Sequence, residues 1–237
     1  MKKLLAMFLA ALCMVLCLVP MTALAETETT VPAEPVVPAE PVGNSETVMP
    51  VVAIDVGGAN TENENYKIDN TGISLLKRNV QYVLTGTTDK SVSVWGNNNS
   101  EEGLKEAHYI KLDNATINGG IVVVNSPVKM VVEVADGTVN TVKRLCANDL
   151  TISGSGTLNA EDLSSTQKKT SYMPSRLTIT DTEINVTIAR NYAEWNGECV
   201  VGGNAKVTYT TDLDYAPLHM GEYAEDDNNS FTLKDNA

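Results

Sequence analysis

Few residues in this chain have the type and spacing that catalysis demands. An elimination on a uronate sugar needs an Arg or Lys base above a Ca²⁺-carboxylate cluster that neutralises the substrate. Arg144, Arg176 and Arg190 could each supply the base, yet no group of Asp gathers around any of them in the repeat frame set out below. Hydrolysis by paired carboxylates is no better marked, because among 30 acidic residues some pair always stands at a suggestive distance. His108 and His219 are isolated, and neither HExxH, GxSxG nor a Cys/His metal spacing occurs. The chain therefore reads as non-catalytic.

Binding chemistry has more to work with. Pyranose rings have an apolar side, so a sugar site combines a flat aromatic face with polar groups. The chain is aromatic-poor, which narrows the choice to Trp195 with Tyr192 in RNYAEWNGE, and to Trp95 before the polar tract GNNNSEE. An exposed Tyr192/Trp195 pair would make a platform; the alternative is that these rings pack against a sheet. For Ca²⁺, the densest oxygen supply is Asp212 and Asp214 with Glu222, Glu225, Asp226 and Asp227. That group lacks the EF-hand order, and a solvated acidic loop accounts for it better than a metal site does.

What positions these residues is a repeated phrase. LTISGSGTLN at 150 returns as LTITDTEIN at 177, and related wording starts at Tyr82, Ile110, Val132, Cys199 and Phe231. The separations drift around the mid-twenties (roughly), the regime of stacked repeats. Each copy opens with alternating apolar and polar residues, which is strand periodicity. A turn residue follows (Gly86, Asn114, Asp136, Gly154, Asp181 or Gly203) that tolerates the backbone angles of a sharp corner. Then comes a second apolar residue, Ile117, Val139, Leu158, Ile184 or Val207. Each repeat is thus strand, corner, strand, and the expected fold is all-β: a parallel β-helix of about six to seven short coils around a thin column of Val, Ile and Leu.

The slot after the second apolar residue holds Asn118, Asn140, Asn159 and Asn185, with Thr208 as the departure. Amides stacked directly above one another can hydrogen-bond along the pile, so these four are expected to form a ladder. An immunoglobulin-like sandwich would show similar short strands, but its antiparallel pairing gives no reason for one phrase to recur in one register. Cys199 occupies a first apolar slot while Cys146 precedes Leu150 by four residues, which places them about two coils apart, beyond disulfide reach. Two buried thiols are expected. The last copy, FTLKDNA, stops at its corner, so the final coil should present open strand edges, to be covered by further chain, by a partner, or by self-association.

Outside the repeats, Lys2 and Lys3 precede an apolar run and Ala23-Leu24-Ala25, the pattern of a secretory signal peptide over 1–25. Residues 26–50, with PAEPV written twice, read as a Pro-rich spacer; 51–81 as an N-terminal cap or first strands; and 82–237 as the β-helix. A secreted, extracellular protein is expected. Removing two lysines leaves 15 basic and 30 acidic residues, a net of −15, which disfavours nucleic acid and anionic membranes as partners.

The runs GISLLKRNVQYVLTGTTDKSVSV, YIKLDNATINGGIVVVNSPVKMVVEVADGTVNTV and DLTISGSGTLNAED resemble the bacterial secreted carbohydrate-binding domain proteins. The likeness covers about 72–162 closely and continues to 236 more loosely; residues 186–230 depart from it. It implies a right-handed parallel β-helix like that of pectin lyases, binding to plant-wall polysaccharides such as cellulose and polygalacturonate, and Ca²⁺ in the fold. A structural or adhesive surface protein that binds other chains through its open coil is the second expectation, and a lyase-like enzyme the third.

Overall fold

The computed structural model describes residues 48–58, 60–96, 106–124, 128–164, 175–188, 193–195, 197–211, 218–220, 230–235 and 237, all within a unit spanning Thr47–Ala237. Among them lie eighteen strands. They are β1 (Val51–Asp55), β2 (Tyr66–Ile68), β3 (Gly72–Leu75), β4 (Gln81–Thr88), β5 (Ser91–Trp95) and β6 (His108–Ile117). Then follow β7 (Ile121–Val124), β8 (Lys129–Val134), β9 (Val139–Cys146), β10 (Asp149–Ser153), β11 (Thr157–Ser164) and β12 (Arg176–Thr180). The last are β13 (Glu183–Ile188), β14 (Ala193–Trp195), β15 (Glu198–Gly202), β16 (Lys206–Thr211), β17 (Leu218–Met220) and β18 (Ser230–Leu233).

Among the described residues every pairing is parallel except β2 with β3. The strands fall into rows. Row one runs β1-β4-β6-β8-β10-β12-β15-β18. Row two joins the ends of β4 and β6 to β9, β11, β13 and β16. Row three runs β3-β5-β7 and continues through Leu145 of β9 to Leu163 of β11. After each visit to row one the chain leaves for another row before it comes back. The sheet is not closed.

Alternation puts one apolar residue in two on the inside, and the pairing register piles them into columns. Tyr82, Ile110, Val132, Ile152, Ile179, Val201 and Leu233 form one such column in row one; Met130, Leu150, Leu177, Cys199 and Phe231 form the next. Most are fully buried. At about 1.5–3 kcal/mol per buried aliphatic side chain, these columns are the main source of stability.

The corners behave as their residue types require. Gly86, Asn114, Gly154, Asp181 and Gly203 all adopt positive φ, as the sequence indicates; in the copy at 132 it is Gly137, not Asp136, that does so. Successive corners also bond to one another. Asp181 Oδ1 accepts the Asn204 N–H at 2.8 Å, Thr182 Oγ1 donates to the Gly154 carbonyl at 2.8 Å, and Asp136 Oδ1 accepts the Ser155 hydroxyl at 2.6 Å.

Two expectations need correction. The copies at 132 and 150 are offset by two residues: Leu150 pairs with Met130 and Ile152 with Val132. Ahead of Tyr82, in the segment read as a cap or entry strands, β1 pairs in register with β4 through Val52 and Tyr82. Above all, the four asparagines do not queue. Asn159 and Asn185 are partners, with Asn185 Nδ2 donating to Asn159 Oδ1 at 3.3 Å, but Asn140 pairs with Leu158, and Thr141 takes the place beside Asn159. Asn118 instead donates to Asp89 Oδ1 at 2.8 Å. The cause is parity. The ADGT corner turns Val139 outward (60 % exposed) and Asn140 inward (0 %), whereas the equally long TDTE corner turns Ile184 inward, so β9 carries its side chains one residue out of step with the written phrase. Asn140 tolerates the core because Oδ1 accepts the Ala115 N–H at 2.9 Å and Nδ2 donates to Thr138 Oγ1 at 2.8 Å.

Cys146 and Cys199 are both buried and no disulfide joins them. They stand in different rows, Cys146 beside Ser164 and Cys199 between Leu177 and Phe231.

Candidate functional site

The outward residues of row one repeat as regularly as the inward ones. Tyr109, Val131, Thr151, Thr178, Val200 and Thr232 stand in line, all half-buried. Beside them runs a column of alternating charge, Lys129, Asp149, Arg176 and Glu198. Arg176 Nε meets Glu198 Oε2 at 2.7 Å, Lys129 Nζ meets Asp149 Oδ2 at 4.0 Å, and on the other flank Lys111 Nζ meets Glu133 Oε1 at 2.6 Å. Burial holds the Asp149 carboxyl above its ordinary range despite the opposing pull of Lys129 and Arg176. The face is thus a flat sheet of hydroxyls and β-branched side chains whose flanking cations already hold carboxylates.

Trp95 closes β5 opposite Val124 and is 42 % exposed. Leu76, also exposed, follows Leu75, the partner of Val94. Trp95 stands where row three hands the chain to row one, because its carbonyl lies 3.0 Å from Nε2 of His108, the first residue of β6. A neutral imidazole donating from Nε2 satisfies that carbonyl. His108 is 1 % exposed, and burial first, with the charge of Arg78 adding to it, lowers its pKa to about 4. The histidine is a fixed donor at neutral pH, not a proton shuttle.

Trp195 is not part of any exposed platform. It is 1 % exposed, meets the Tyr209 ring edge-on at 5.7 Å and the Phe231 ring at 5.8 Å, and so belongs to the core. This is the packed alternative, which the sequence could not choose, since an aromatic between repeats has no alternation pattern to assign its side. Tyr192 lies outside the described residues, as do Arg190, Asp212, Asp214, Asp226 and Asp227. Among the described residues no three His, Cys, Asp or Glu side chains gather as metal ligands.

No family model, curated protein or solved structure matches this chain. Its chemistry has to be read from its own geometry.

One constellation escaped the sequence reading. Arg144 Nε lies 3.1 Å from Asp162 Oδ2 and 3.3 Å from Cys146 Sγ, while Ser164 Oγ lies 3.3 Å from that sulfur and donates to Asp162 Oδ1 at 3.0 Å. The four come from R-x-C and D-x-S, which pairing sets side by side as Asp162 with Arg144 and Ser164 with Cys146. Matching i, i+2 spacing in neighbouring repeats was the available signal. Burial raises the Cys146 pKa, so the sulfur stays a thiol and lacks the nucleophilicity of a thiolate. The group clamps β9 to β11. Among the described residues Arg144 pairs with Asp162, and Arg176 stands in register between Asp149 and Glu198 with its ion pair to Glu198.

Proposed function

We propose that this chain is a secreted, non-catalytic polysaccharide-binding module, folded as a right-handed parallel β-helix, that engages a neutral glycan along row one with Trp95 as its aromatic contact. The exposure of the Trp95 ring at the row-three to row-one junction carries the reading. A sugar ring laid on that indole buries apolar area, while Tyr109, Thr151, Thr178 and Thr232 of the outward column offer hydroxyls along a stack with a strand step of about 4.8 Å. A polymer suits such a face because equivalent side chains recur along it. The β-helix reading draws on the return of the chain to row one between visits to the others, and on the resemblance given above.

Charge separates the two glycans that the resemblance implies. With a formal net of −13, and with Lys111, Lys129 and Arg176 already paired, the row-one face attracts a polyuronate weakly. A cellulose-like neutral glucan fits better. Ca²⁺ remains part of the proposal through Asp212, Asp214, Asp226 and Asp227, and is tested by chelation.

Affinity electrophoresis in gels containing soluble neutral β-glucan or polygalacturonate, each with Ca²⁺ and with chelator, tests this. Retardation by the neutral glucan is expected, and Trp95→Ala should weaken it at least about tenfold, the equivalent of one lost ring contact of about 1.4 kcal/mol. Thermal melting of the variant would be unchanged. Absence of retardation by every neutral glycan overturns the reading; release of unsaturated uronate from polygalacturonate overturns its non-catalytic part.

A further inference from the structure

Asn118 and Gly119 turn the chain from β6 toward β7, and the fold constrains both. A Cβ on Gly119 would run into the Lys90 backbone of the neighbouring coil, so this corner calls for glycine. An asparagine followed by glycine carries its own reactive pair, the side-chain carbonyl carbon and the next backbone nitrogen, with no Cβ to hold them apart. Hydrogen bonding decides which asparagines can use it. The N–H groups on either side of Gly119 are engaged, Asn118 with the Thr88 carbonyl at 2.9 Å and Gly120 with the Ile117 carbonyl at 3.0 Å, while that of Gly119 has no partner among the described residues. Asn114 and Asn204 are also exposed, but the nitrogen each would need is bound. Ala115 N–H donates to Asn140 Oδ1 at 2.9 Å, and Ala205 N–H to the Gly202 carbonyl at 3.2 Å. Asn118 is exposed and its nucleophile is free.

We infer that Asn118 is a self-modifying site: it converts to aspartate and isoaspartate through a cyclic imide with Gly119, and the conversion loosens the join between two coils. The Gly119 nitrogen gives up its proton and bonds to Asn118 Cγ, while Nδ2 takes up a proton and leaves as ammonia. Water then opens the imide at either carbonyl, so that water enters and ammonia departs with no change of oxidation state. Asp89 is placed to favour the departure. Its Oδ1 accepts Nδ2 at 2.8 Å, and a carboxylate there stabilises the positive charge that gathers on that nitrogen as it is protonated. The same contact gives the product its consequence. Asp89 follows β4 and Asn118 follows β6, its parallel partner, so the bond ties successive coils together. After conversion a carboxylate faces a carboxylate where a donor faced an acceptor. Isoaspartate also inserts a methylene into the main chain just ahead of buried Ile121, which stacks on Val92 and Leu145. The inference does not rest on the glycan reading.

Incubating the folded protein in mildly alkaline buffer and mapping its peptides tests this. Trypsin releases 112–129, which holds Asn114 and Asn118 together, so a single fragment supplies both site and control. Amide-to-acid conversion should appear at Asn118 at least about tenfold faster than at Asn114, with isoaspartate among the products and ammonia released. Asn118→Gln, which would need a larger ring, should show no conversion at that position. Conversion at Asn118 in the urea-unfolded chain but not in the folded one overturns the inference, because the fold would then protect the amide. Equal conversion at Asn114 overturns it as well. The join between coils is read separately: Asn118→Asp should lower the urea midpoint, and adding Asp89→Asn should restore much of the loss. A midpoint that Asn118→Asp leaves unchanged would overturn the loosening.

Discussion

Gly154→Ala should cost about 3–5 kcal/mol, while Gly137→Ala should cost about 1 kcal/mol. Both glycines turn a corner at positive φ, +111° for Gly154 and +65° for Gly137. They differ in what lies beneath. A Cβ on Gly154 would drive into the carbonyl oxygen of Val134, the residue stacked under it, whereas a Cβ on Gly137 would meet nothing within 4 Å. The Gly137 change carries only the conformational cost of a left-handed alanine. The Gly154 change adds a clash with rigid backbone, which must part this corner from the Val134 strand end beneath it. Against a domain stability of roughly 5–15 kcal/mol, that is a large fraction. Urea unfolding checks the pair: the midpoint should fall far more for Gly154→Ala than for Gly137→Ala, with the slope unchanged. Equal losses would mean that the corners are not nested.

Lowering the pH from 7 to 4 should remove about 3 kcal/mol of stability through His108 alone. The imidazole is neutral in the folded chain down to about 4 and in the unfolded chain only down to 6.5. Between those values the unfolded chain takes up a proton that the folded chain refuses, so stability is full above 6.5 and is lost as pH falls toward 4. Asp149 acts in the opposite sense: its raised folded pKa contributes stability at low pH that is lost as pH rises. A control is therefore needed. His108→Leu should lose about 1 kcal/mol at pH 7 with the bond to the Trp95 carbonyl, yet show a flatter profile, so that it becomes the more stable protein near pH 4. Denaturation midpoints at several pH values decide this, and parallel profiles would remove His108 as the cause.

The parts of the fold that follow from alternation were legible: which residues enter the columns of row one, that the copies lie parallel, and that corners fall at Gly86, Asn114, Gly154, Asp181 and Gly203. What the phrase could not reveal was corner conformation: ADGT and TDTE both have four residues, but the positive φ falls on the third in one, Gly137, and on the second in the other, Asp181. Side-chain direction in a strand has a period of two, so the path of the corner decides whether Val139 or Asn140 is buried, and the phrase scans equally well either way. Recurrence of Asn at one written position therefore did not mean recurrence at one place in space. Asn159 and Asn185 stack because the corners SGSGT and TDTE, although of different length, both turn the apolar residue before the asparagine inward and bring Leu158 opposite Ile184.

The site was less legible than the fold for a related reason. Trp95 lies at the end of an alternating strand, SVSVW, whose pattern sends it outward, and it is exposed. Trp195 follows no such pattern, and only the columns above and below it, with Tyr209 and Phe231, show that it seals the core. The Arg144, Cys146, Asp162 and Ser164 clamp needed the pairing register before its members became neighbours.

The glycan face depends on LTIS and LTIT lying side by side, parallel and in register. A Thr151→Cys/Thr178→Cys double variant tests that most directly, because these outward residues are paired and should have Cα atoms about 4.8 Å apart. Mild oxidation followed by peptide mass mapping should recover the 151–178 disulfide in high yield, and a Thr151→Cys/Thr180→Cys variant, one step out of register, should give far less. Equal yields from the two variants, or none from the first, would contradict the in-register parallel stack.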